Sequence, residues 1–203
     1  MKLYFARHGE TDSNLQRRVV GFNDQLTHNG RLQAQRLAER LAKEQIELVI
    51  ASPHLRTRET AGIVAKKINL GVQEISLLGE KKWPGAIEGK PLTDTEVGII
   101  FDLMKNKNNS DPTWHHSDEE NFLDTKLRAK LFIDYISKST CANILAVSHE
   151  YLIKIVIATM MHGDRLSYDI FRDFFHFTSL GNSSLTLCEK ENGIWKLITL
   201  NEL

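Results

Sequence analysis

The chain has 203 residues, enough for one sizeable core without a second domain. Its 26 Lys and Arg balance its 26 Asp and Glu, so it offers no basic surface for nucleic acid, and any anion must be gripped locally by a few groups. No apolar run reaches the ~18 residues of a membrane helix, and the first apolar run is too short for a secretory signal. The two cysteines, Cys141 and Cys188, are far apart and match no metal spacing. The expectation is a cytoplasmic protein with no membrane or nucleic-acid partner.

In chain order, "LYFA" reads as a short buried strand. "LTHNGRLQAQRLAERLAKEQI" follows as a helix, capped by Thr27, with Leu32, Leu37, Ala38 and Leu41 at helical spacing. "ELVIAS" is a second strand, and "PHLRTRETAGIVAKKI" a second helix with Pro53 in its first turn. The glycine- and proline-bearing "LLGEKKWPGAIEGKPLTDTE" is a loop. Residues 93 to 106 form a helix, and "NKNNSDPTWHHSDEEN" is exposed and polar. From about Asp118 to Ser137 a helical pattern returns through Phe122, Leu127, Leu131 and Tyr135. "NILAVS" is a third buried strand, followed by the apolar helix "YLIKIVIATMMHG". A hairpin of "SSLTLCEK" and "IWKLITL" closes the chain around "ENG". Alternating strands and helices imply an α/β fold, three layers (α/β/α) about a mainly parallel sheet. It is expected to be one domain over residues 1–203, with an irregular, cap-like excursion near 80–120.

Ligands in open α/β sheets bind beyond the carboxyl ends of the strands. After "LYFA" come Arg7 and His8. After "ELVIA" come Ser52 and Pro53, with Arg56 one helical turn on, and after "NILAVS" comes His149. Two guanidiniums suit the paired oxygens of a phosphate. Their charge disfavours imidazolium, so His8 should stay neutral, and a neutral imidazole is a nucleophile toward phosphorus.

"RHGETDSN" resembles the signature of the histidine phosphatase family, which includes the cofactor-dependent phosphoglycerate mutases. "GFNDQLTHNGRLQA", "SPHLRTRETA", "GAIEGK", "EENF", "VSHE" and "GNSS" are similar to family segments in the family's order, so the resemblance spans nearly the whole chain. It implies a phosphoglycerate mutase-like fold and a covalent phosphohistidine on His8. It also implies phosphate binding by Arg7, Arg56 and His149 with a hydrogen bond from Asn14. Glu80 is then the acid and base, and neither a metal nor another cofactor is expected.

Two departures stand out. The family usually has glycine where this chain has Glu150, which either turns outward to the positive end of the following helix or selects a substrate carrying a cation. The spacing from Glu80 to Gly85 is one residue long, leaving Glu74 and Glu88 as rivals for the acid. Other residues take plainer readings. His115 and His116 are adjacent and so point apart, a poor match to metal ligands. His54 is an exposed helical residue or lines the pocket rim, and "FRDFFHF" is packing. The functional expectation is a metal-independent phosphatase acting on a small phosphomonoester. The alternatives are a phosphoglycerate mutase and a non-catalytic phosphate-binding module. The region between Glu80 and Asn121 is expected to set the substrate; the sequence leaves the oligomeric state open.

Overall fold

The computed structural model describes residues 1–202. In chain order it contains β1 (Lys2–Arg7), α1 (Asp12–Leu15), α2 (His28–Leu41), β2 (Leu48–Ala51), α3 (Leu55–Ile68) and β3 (Val72–Glu74). The excursion carries α4 (Thr95–Ser110). There follow α5 (Phe122–Ser137), β4 (Asn143–Ser148), α6 (Glu150–His162), α7 (Tyr168–Phe177), β5 (Leu185–Glu191) and β6 (Ile194–Glu202).

One mixed sheet runs β3-β2-β4-β1-β5-β6. The first four strands are parallel, while β5 and β6 run antiparallel. β1 and β4 are buried on both faces, as their unbroken apolar runs require of central parallel strands. One face packs Leu3, Phe5, Ile50 and Ile144 against α5, α6 and α7. The other packs Tyr4, Val49, Leu145 and Val147 against α2 and α3. The sheet is thus covered by helices on both sides, the expected three-layer α/β/α arrangement. The closing hairpin turns at Asn192 and Gly193, both at positive φ (50° and 82°), which suits a two-residue turn.

Thr27 caps α2 by accepting from the Gly30 amide, 2.9 Å away, but Leu32 faces solvent. Pro53 lies before the α3 N-cap, His54, rather than in the helix's first turn. α4 extends to Ser110, through residues expected to be loop, and the polar stretch after it is not wholly exposed. Glu119 is buried, accepting from the amides of His116 and Ser117. In α5 the buried side is Phe122, Thr125, Ala129, Phe132 and Ile136, whereas Leu127, Leu131 and Tyr135 are exposed. β3 and α1 were not anticipated; each is four residues or fewer.

Candidate functional site

Strand register brings the site together. Arg7 pairs with Ser148 across β1 and β4, and Ala51 with Val147 across β2 and β4. The next residue on each strand is therefore His8, His149 or Ser52, side by side at the sheet's carboxyl edge. The pairing continues past the strands, with His8 N donating to Ser148 O at 3.0 Å and Ser52 N to Val147 O at 3.0 Å. β5 begins at the same edge, so "GNSS" lands there too: Ser183 N donates to Arg7 O, and Asn182 Nδ2 to His8 O at 3.1 Å. The loop after β1 lies flat on the start of α2; a Cβ on Gly9 would sit 2.5 Å from Gly30 O, so only glycine fits.

His8 Nδ1 is 2.8 Å from Gly9 O. A carbonyl only accepts, so Nδ1 carries the proton and Nε2 keeps its lone pair. Burial, then the charges of Arg56 and Arg7, hold this ring well below the ordinary histidine range. His8 retains 2% exposure, and its ring centroid is 5.3 Å from that of His149.

Arg56 is fully buried. It donates through Nη1 to Gly21 O at 2.7 Å and through Nη2 to His149 Nδ1 at 2.9 Å. Since guanidinium only donates, His149 Nδ1 must accept, and its Nε2–H donates to Ser52 Oγ at 2.8 Å. Ser52 in turn donates to His54 Nδ1 at 2.9 Å. This chain fixes the tautomers of both histidines. Burial and Arg56 bring His54 down to about 4, and burial brings Arg56 to about 10, still a cation at neutral pH. His54 is thus partly buried at the pocket rim and not an exposed helical residue.

Arg7 Nη1 donates to Leu180 O at 2.5 Å and meets Glu150 Oε2 at 3.1 Å. The Nε atoms of Arg7 and Arg56 are buried with no partner among the described residues. Asn14 Oδ1 accepts from the amide of Thr11 and from Asn182 Nδ2.

Glu80 Oε2 lies 3.9 Å from His149 Nδ1, and its Oε1 accepts from the Lys81 amide at 2.8 Å. Burial raises its pKa, partly opposed by Arg56. A cavity of about 320 Å³ opens on Glu80 and His54. The segment from Leu77 to Gly85 is held by a set of hydrogen bonds that sequence reasoning missed. Arg128 donates to Gly79 O (2.6 Å), Leu77 O and Glu80 O while bonded to Glu120. Glu120 also accepts from the Lys82 amide, and Asp118 from the Gly85 amide. Of the rivals, Glu74 pairs with Arg58 at the surface, and Glu88 is exposed, lining the same cavity as Glu80 near Gly21.

Glu150 does not turn outward. It bridges Arg7 and the buried Lys154, whose Nζ is 2.6 Å from Oε1, and also accepts from Leu180 N. Its lone pairs are therefore directed at residues of this chain. His115 meets Asp124 at the surface, and no group of three or more metal-ligating side chains occurs among the described residues. Among those residues no helix is long and apolar enough to cross a membrane.

The site, then, gathers His8, His149, Arg7, Arg56 and Glu80 at the carboxyl edge of a sheet covered by helices on both faces. The chain belongs to the histidine phosphatase superfamily (branch 1), whose family model matches residues 3–203. It is 46% identical over 129 residues to a Serratia proteamaculans protein named "Probable phosphoglycerate mutase GpmB", an alignment covering 52% of this chain and 60% of that one. The chain thus spans less than two thirds of that relative's length, and 30% of the Arabidopsis thaliana phosphoglycerate mutase-like protein 4, to which it is 48% identical over 68 residues. Among solved structures, Entamoeba histolytica phosphoserine phosphatase in complex with 3-phosphoglyceric acid is 26% identical over an alignment covering 100% of this chain and 97% of that one, with a TM-score of 0.79.

Proposed function

We propose that this chain is a phosphatase that hydrolyses a small phosphomonoester through a phosphohistidine on His8. The observation that carries the reading is the neutral His8 ring, its Nε2 lone pair free, beside the buried guanidinium of Arg56 and the half-buried one of Arg7. Arg7 and Arg56 bind the phosphoryl oxygens with His149, and Asn14 adds a donor from its amide nitrogen. The unpartnered Nε–H groups of both arginines are donors that an oxyanion would satisfy. A bound dianion favours the imidazolium form of His149, and its Nδ1–H donates to the dianion once Arg56 Nη2 has turned from that nitrogen to the phosphoryl oxygens.

His8 Nε2 attacks phosphorus, the bond from phosphorus to the alcohol oxygen breaks, and the Glu80 carboxyl gives that oxygen its proton. Glu80, now a carboxylate, takes a proton from water as the water oxygen attacks phosphorus. The P–N bond breaks, and inorganic phosphate leaves. The raised Glu80 pKa supports the first role and the cationic cup supports the transferring charge. Glu80→Gln should lower kcat about 100-fold, the usual worth of a general acid, and abolish the alkaline limb of its pH profile. Inhibition by inorganic phosphate should be unchanged. A nearly full-rate variant would reject Glu80.

The mutase names of relatives favour a second reading, isomerisation of a phosphoglycerate. Assaying free phosphate against isomerised phosphoglycerate, in the presence of a chelator, separates the two: hydrolysis predicts phosphate as the product.

A further inference from the structure

A second cavity, of about 340 Å³, lies on the other side of the Lys81–Trp83 segment, between α4 and α7. Its walls are rings: Trp83, Phe101, Tyr151, Tyr168, Phe171 and Phe175. Lys81, Lys105, Arg172 and His176 also line it, and no carboxylate does. The cavity beside Glu80 shares Lys81 and Trp83 with it but carries Glu88 and Asp118 as well. Lys81 is 6% exposed, and its Nζ sits 4.4 Å from the Trp83 ring centroid and 5.1 Å from that of Tyr151. It forms no salt bridge among the described residues, an unpaired buried ammonium resting on two aromatic faces at the junction of the cavities.

Resting on the phosphatase reading, we propose that this cavity takes the alcohol half of the substrate, an aromatic ring bearing a carboxylate that pairs with Lys81. Ring faces supply the apolar contact that an aromatic group seeks. Of the cations lining the cavity, Arg172 is already paired with Asp169 and Asp173 and Lys105 is exposed, so the buried ammonium of Lys81 supplies the charge-assisted bond that distinguishes an acid from a neutral ring. In the neighbouring cavity Asp118 is paired with Lys82, and the carboxylate of Glu88 repels the same ligand.

The test compares 4-carboxyphenyl phosphate with phenyl phosphate, and binding of 4-hydroxybenzoate with binding of phenol by titration calorimetry. The inference predicts at least about a tenfold preference for the carboxylate-bearing member of each pair, the low end for a hydrogen bond to a charged group. Taken as a ratio within each variant, so that any general change in turnover cancels, the preference should vanish in Lys81→Met and persist in Lys81→Arg. Ratios near one in the wild type, or an unaltered ratio in Lys81→Met, overturn it; if Lys81→Met does not fold, the wild-type ratios alone decide. Inert phosphate esters together with selective 4-hydroxybenzoate binding would sink the phosphatase reading, and with it the substrate role of the cavity, and leave standing only its selectivity for an aromatic carboxylate. Hydrolysis of both esters at equal KM would do the reverse.

Discussion

His8, His54 and His149 are all held below the ordinary histidine range, first by burial and then by Arg56. A histidine kept neutral when folded and free to charge when unfolded favours the unfolded state as pH falls. The stability it protects is whole above about pH 6.5, the unfolded value, and is lost below it, through about 4 for His54. Urea midpoints should therefore drop between pH 6.5 and 4, and His54→Leu should flatten that slope. An equal slope in the variant would mean His54 titrates normally. Glu150 makes a second residue-scale case. Lys154 is 2% exposed, and its ammonium is neutralised by Glu150. Glu150→Gln should cost about 2 kcal/mol, the penalty of a buried polar group left underpaired. Adding Lys154→Met should recover most of it, and a double variant no more stable than Glu150→Gln would refute the coupling. Arg7, His8, Arg56 and His149 could be picked out of the sequence because strand ends are legible as apolar runs that stop. Ser52 also stands at a strand end, but nothing local shows that its hydroxyl links two histidines, and the mid-chain Asn182 and Arg128 carry no local signature of what they reach.

Among the elements, α5 is the instructive case. Its sequence carries two apolar stripes, one through Leu127, Leu131 and Tyr135, the other through Ala129, Phe132 and Ile136. The fold buries the second, together with Phe122 and Thr125. Two apolar stripes on one helix do not reveal which of them faces the core. The same helix positions the candidate acid. Arg128 donates to three carbonyls of the segment ending at Glu80 and is held by Glu120. Arg128→Met should lower kcat tenfold or more, by displacing Glu80, with KM and phosphate inhibition little changed. Lysine should not rescue, since a point charge cannot reproduce a fork spanning those acceptors. A rise in KM at constant kcat would place Arg128 in substrate binding instead.

At the scale of the whole molecule, the α/β alternation was readable because each period is local. The strand order was not, yet it is what makes a site: β2, β4 and β1 lie adjacent although 91 residues separate the last of β2 from the first of β4. The excursion was the least readable part because its shape rests on bonds such as Arg128 to Leu77, 51 residues apart. The central claim is that this assembly leaves His8 Nε2 as a nucleophile toward phosphorus. Its most direct measurement is alkaline quenching during turnover of a phosphomonoester, followed by peptide mass spectrometry for a base-stable, acid-labile phosphoryl group. The account predicts that group on His8, absent in His8→Ala. Turnover with phosphate on another residue, or undiminished turnover in His8→Ala, would contradict it.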